Sequence, residues 1–125
     1  MHVEKRQVSV TVNSSGDGTG YTENVTGRIL SVIYEKASSG GYDNGVDFVV
    51  TVEETGQIIW DEDDVNASAI RAPRQPIHSQ VGVAALYAGG GSPVLDHIVL
   101  ANQRIKVVVA SGGDTKTGTF KFLVG

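Results

Sequence analysis

The chain has 125 residues, 40% of them hydrophobic and 19% charged, with a formal net charge of −4. Those values suit a folded chain rather than a disordered one, and one domain over residues 1–125 is expected, able to bury roughly two-thirds of its unfolded surface. The absence of cysteine excludes disulfides, thiol catalysis and cysteine-ligated zinc, and the acidic balance argues against nonspecific nucleic-acid binding, which needs clustered Lys and Arg.

Sixteen glycines stand against three prolines without a Gly-X-Y repeat, which points to many tight turns and so to a small all-β fold. The N-terminal MHVEKRQVSVTV lacks an apolar signal core, so synthesis in a cytoplasm without a standard export signal is expected. No apolar run approaches the ~20 residues that span a bilayer, so no membrane partner is expected.

Residues 7–13, QVSVTVN, alternate, with Val8, Val10 and Val12 on one side, as a half-buried strand does. SSGDGTG (14–20) reads as a turn. NVTGRILSVIYEK (24–36) is apolar on both faces from Ile29 to Tyr34, the pattern of a central strand covered on both sides. ASSGGYDNG (37–45) is a loop with an Asn44-Gly45 turn. VDFVVTVE (46–53) puts Val46, Phe48, Val50 and Val52 inward, and QIIW (57–60) returns as its hairpin partner.

VGVAALYA (81–88) reads either as a helix capped by Ser79 and ended at Gly89 or as extended chain. Extended structure is favoured because Gly82 and Val83 are poor helix formers. HIVLANQRIKVVVA (97–110) holds one or two strands with a kink at Ala101-Asn102. SGGDTKTG (111–118) turns the chain, and TFKFLV (119–124) closes a last hairpin, with Phe120 and Phe122 in the core and Lys121 solvated. Six to eight short strands between glycine turns predict an antiparallel β-sandwich or small barrel with one long irregular loop at 61–80.

That loop, DEDDVNASAIRAPRQPIHSQ, shows neither the strand nor the helix period. Asp61, Glu62, Asp63 and Asp64 form an acidic end. Arg71 and Arg74 flank Pro73, and Pro76 and His78 follow. Proline restricts itself and its predecessor, so Ala72 to Ile77 is expected to be extended or polyproline-like, with both arginines on one face. One reading is a plain surface loop. The other is a docking arm whose arginines pair with carboxylates of a neighbouring chain, a geometry that suits the guanidinium fork. Residues 1–6 are a second candidate arm.

The chemistry-bearing motifs are weak. The acidic run lacks the glycine and distal acid of a calcium-binding EF-hand loop, so no metal is expected. His2, His78 and His97 have no metal-ligand spacing, although Asp96 could pair with His97. No Gly-x-Ser-x-Gly elbow occurs, GDGTGY (16–21) lacks the third glycine of a dinucleotide loop, and GDTKTGT (113–119) has threonine where a P-loop needs lysine. The sequons at Asn13, Asn24 and Asn66 read as accidental. No catalytic residue and no cofactor are expected. Tyr21, Tyr42, Trp60 and Tyr87 could stack a sugar, but Trp60 continues an apolar run and reads as core.

The run ASAIRAPRQPIHS, then AALYAGGG, then RIKVVVASGGDTKTGTFKFLVG, resembles small structural proteins encoded near the head genes of tailed bacteriophages. Such proteins look like capsid decoration, or cement, proteins. The resemblance lies in word order over about residues 21–125 and carries no catalytic motif. It implies a virion protein made in the bacterial host cytoplasm and held on the capsid surface. Its partner would be the major capsid protein lattice, whose capsomers it would bridge against internal DNA pressure without touching nucleic acid. Such proteins are often β-rich homo-oligomers, with a trimer favoured. On this reading the interface lies in Asp61–Ser79 or Met1–Arg6. The alternatives are a phage tail, neck or fibre module and, from another class, a carbohydrate-binding sandwich.

Overall fold

A computed structural model of the chain describes residues 2–125. Among these the chain forms ten strands and no helix: β1 (Glu4–Thr11), β2 (Gly18–Tyr21), β3 (Val25–Lys36), β4 (Asp47–Val52), β5 (Ile58–Glu62), β6 (Ala69–Arg71), β7 (Arg74–Pro76), β8 (Leu95–Gln103), β9 (Ile105–Ala110) and β10 (Thr117–Val124). They make two antiparallel sheets. The six-stranded sheet runs β1-β10-β3-β8-β7, with β6 also paired to β3, and the four-stranded sheet runs β2-β9-β4-β5. The sheets stack as a sandwich rather than closing into a barrel.

Alternation decides which side chains go between the sheets. Phe48, Val50 and Val52 of β4, Ile105, Val107 and Val109 of β9, and Phe120, Phe122 and Val124 of β10 are all buried. The intervening residues face out, as a two-residue period requires. The sheets meet through aromatic rings. Phe48 packs edge-on against Tyr34 at 4.7 Å, against Phe120 at 4.9 Å and against Trp60 at 5.4 Å between ring centres. Tyr42 sits beside them and donates its hydroxyl hydrogen to the Val10 carbonyl. Burial pushes the Tyr34 hydroxyl up to about 12 and the Tyr42 hydroxyl higher still. Trp60 is core, as its apolar run predicts.

Several sequence expectations are corrected. SSGDGTG turns only as far as Asp17, and Gly18 and Gly20 lie in strand β2. A Cβ at Gly20 would come within 2.7 Å of the Val10 side chain, so these glycines let β2 and β1 close one side of the sandwich. The last strand forms no hairpin with its predecessor. β9 pairs β2 and β4, whereas β10 pairs β1 and β3 in the other sheet. Alternation identifies a strand but not its neighbour, and the glycine turn after Ala110 carries the chain across the sandwich. The kink predicted at Ala101-Asn102 is the opposite crossing, from β8 to β9. Asn102 takes a positive φ of 52° there and donates its N–H to Thr26 Oγ1 at 2.9 Å.

Residues 61–80 are not one irregular loop. β5 extends through Glu62, and β6 and β7 add two short strands. The segment reads as irregular in sequence because short strands broken by Pro73 and Pro76 are too brief to show a period. Of the candidate N-terminal arm, Glu4–Arg6 belong to β1 and pair with Phe122–Val124; Met1 lies outside the described residues.

Candidate functional site

Two adjoining segments carry the candidate residues, and they differ in how they are held. The first runs from Asp61 to Arg74 and is tied into the sandwich. Asp61 is exposed on β5 opposite Val49. Glu62 receives both nitrogens of the Arg71 fork, at 2.8 Å from Nε and 2.9 Å from Nη2, and accepts the Trp60 indole N–H at 3.1 Å. The Arg71 guanidinium also lies over the Trp60 ring at 5.7 Å. The Arg71 hydrogen bonds, with the indole N–H adding to them, hold the Glu62 carboxyl below its ordinary range. Arg71 therefore has its carboxylate within its own chain.

Arg74 is also engaged internally. β3 pairs β6 through Val32–Tyr34 and β8 through Val25–Ile29, which leaves Leu30 between the two partners. Arg74 Nη1 donates to the Leu30 carbonyl at 3.3 Å and to the Pro73 carbonyl at 2.8 Å, and Pro73 is buried. Asp64, at a positive φ of 55°, donates its N–H to Asp47 at 3.1 Å. Asp63 is exposed, and Asp47 above all, then burial, Asp61 and Asp64, push its carboxyl upward. Among the described residues no group of three or more His, Asp or Glu is arranged to hold a metal ion. An open groove of about 690 Å³ lies between the end of β3 and residues 62–71, with Glu35, Glu62, Asn66, Ser68 and Arg71 on its walls.

The second segment is an arm. β7 pairs the N-terminal end of β8, with Arg74, Gln75 and Pro76 opposite His97, Asp96 and Leu95. Beyond that ladder residues 77–94 fold on themselves. The Ile77 N–H donates to Val94, the Ala85 N–H to Ile77 and the Val94 N–H to Ala85, each at 2.9 Å. Single bridges join His78 to Ala84 and Leu86 to Pro93. The stretch 81–88 is thus extended and turning rather than helical. Gly82 and Gly90 take positive φ of 82° and 73°, and a Cβ on either would meet open space.

From Pro76 to Pro93 every residue except the half-buried Ala85 is exposed, so the arm stands clear of the sandwich. Val81, Val83 and Tyr87 are 78%, 65% and 77% exposed. Between Arg74 and Asp96 the chain has no Lys, Arg, Asp or Glu. Val99 of β8, opposite Arg28 of β3, and Ile70 of β6, opposite Ile33, are also exposed on the six-stranded sheet. Exposed apolar side chains gathered on one part of a small chain often mark an interaction site.

The sequence-predicted residues therefore divide. Asp61, Glu62, Asp63, Asp64, Arg71, Pro73 and Arg74 belong to the tied segment. Pro76 begins the arm, and His78 lies on it with Nδ1 2.9 Å from the Ser79 carbonyl. Asp96 and His97 pair side chain to side chain at 3.3 Å on the arm's base. Of the four aromatic candidates for sugar stacking, Tyr42 and Trp60 are buried, and Arg104 covers Tyr21 at 4.0 Å, leaving Tyr87 open. Sequence reasoning does not single out Val81, Val83, Leu86 and Tyr87 as a unit. Their signal is the uncharged run from Gln75 to Leu95, whose branched and aromatic residues follow neither the strand nor the helix period.

No family model matches the chain, and no curated protein is significantly similar to it.

Proposed function

We propose that this chain is a non-enzymatic structural protein of a phage virion that binds the outer surface of an assembled capsid and stabilises it. The observation that carries the reading is the combination of a sandwich with tightly packed aromatic core and an exposed apolar arm built on its edge. A well-packed body presenting a protruding contact surface suits a lattice-binding plug, and many identical weak contacts on a repeating lattice hold strongly through avidity. The word-order resemblance to phage head proteins supplies the partner. The two pairs in which an arginine gives two nitrogens to one carboxylate, Arg71 with Glu62 and Arg104 with Glu53, lie within the body.

Co-sedimentation with expanded, empty phage heads lacking this protein tests the reading. Saturable binding at a fixed ratio to the major capsid protein is expected. Folded protein that stays in the supernatant overturns it and redirects attention to the phage tail or neck.

A further inference from the structure

We infer that the arm is the element that docks and that its receptor is a neutral, apolar surface of the capsid protein; this rests on the capsid reading above. Charge defines the receptor first. All ten Lys and Arg residues and all fourteen Asp and Glu residues lie outside the run Gln75–Leu95. A receptor that placed a charge against this run would lose its hydration with no opposite charge to receive it, which is costly in a closed interface. The complementary surface is therefore uncharged.

The arm also lacks a core of its own. Short hairpins without a covered apolar face are marginal in water. This arm has its own backbone hydrogen bonds but no covering layer: Ile77, Leu86 and Leu95 are 40%, 42% and 54% exposed, beside the more exposed Val81, Val83 and Tyr87. An exposed tyrosine with a polar tip, on an arm that also exposes Val81, Val83 and Leu86, is the composition of an interface centre.

The body of a second copy of this chain is a poor receptor for the arm. Away from the arm, and besides Ile70 and Val99 on the six-stranded sheet, the large exposed apolar side chains are Val3, Tyr21 and Ile58. They sit singly, with Val3 beside Glu4 and Tyr21 beneath Arg104. Ile70 and Val99 are likewise apart, opposite Ile33 and Arg28 of β3, so the body offers no extended apolar site, among the described residues, to receive a neighbour's arm.

The test is the head-binding assay with the full chain, run from about 0.05 M to about 0.5 M NaCl, a range over which screening lengths shorten severalfold. A Val83→Lys/Tyr87→Lys variant is compared with wild type. Both positions are exposed, and fluorescence of the buried Trp60 checks the fold of each sample. Wild-type affinity should change less than about twofold across the salt range, and the variant should bind at least about tenfold more weakly. Equal binding by the folded variant overturns the arm as docking element while leaving capsid binding intact. A tenfold loss of wild-type affinity with salt overturns the neutral receptor. Self-association of wild type that the variant abolishes, with head binding preserved, assigns the arm to a second copy and overturns the inference. Wild-type protein that fails to bind heads removes the capsid reading and this inference together.

Discussion

Strand β8 lies in both halves of this molecule, and its two ends live in different environments. From Ile98 to Gln103 it pairs β3 or lies at the crossing to β9, with Ile98 and Leu100 buried. From Leu95 to His97 it pairs only the three residues of β7, with Leu95 more than half exposed. The backbone geometry continues; the burial stops. Strand propensity is a fit to a half-buried pleated surface, so the sandwich end draws its stability from the facing sheet, and the arm end has no facing sheet. In this chain, then, apolar residues occur in two settings: the core where a second sheet covers them, and an exposed arm where none does.

The largest effect that separates the two regions is truncation of an aromatic ring. Phe48→Ala removes the side chain that touches Tyr34, Trp60 and Phe120, and a loss of about 3–5 kcal/mol is expected in urea denaturation. Tyr87→Ala, on the arm, should fall within about 0.5 kcal/mol of wild type. A Tyr87 variant as damaging as the Phe48 variant would show that the arm packs on the body after all.

Next comes close packing at the β1–β2 side. Gly20→Ala forces a methyl toward Val8 and Val10, and a cost of about 1–3 kcal/mol is expected. Gly90→Ala meets no neighbour but a positive φ, so its cost should stay near ~1 kcal/mol. Chemical denaturation of the pair measures whether contact or backbone conformation governs each glycine.

A smaller effect tests the tie between β5 and β6. The Glu62 carboxyl is held down mainly by Arg71. A depressed carboxyl contributes stability that is present above its unfolded value and lost as pH falls through the folded one. Wild type should therefore lose an increment relative to Glu62→Gln as pH drops below about 4.5. Because both partners are more than a third exposed, screening keeps this under about 1 kcal/mol. Thermal unfolding of both proteins at about pH 7 and about pH 3 reads it; a constant difference would mean the pair contributes nothing. The smallest energies belong to local opening. Amides of Ile77, Ala85 and Val94 should exchange with deuterium orders of magnitude faster than those of Val50 and Val107, although both sets are hydrogen-bonded.

Much of the sandwich is legible in the sequence. The inward set Val46, Phe48, Val50 and Val52 and the pair Phe120 and Phe122 follow from a two-residue period, and all six are buried. Which strand neighbours which is not legible. Nothing in TFKFLV says that it lies between β1 and β3, because pairing across a sandwich depends on where the connecting turns send the chain. Arg71 and Arg74 stand out in the sequence but not as internally paired, since Glu62 and the Leu30 carbonyl reach them only through the fold. The arm is hidden for the converse reason. Its apolar residues answer to no partner within the chain, so no internal period records them.

The passage of β8 from arm to body has a mechanical side. Ladder hydrogen bonds in an antiparallel pair lie perpendicular to the strands. A pull on the arm directed along β8 therefore loads its bonds to β3 together, in shear, instead of opening them one at a time. Beside β3 stands β10, and beyond it β1, so the load spreads across the six-stranded sheet. A tether attached through β8 resists tension along that axis far better than a loop of equal length hung from a turn.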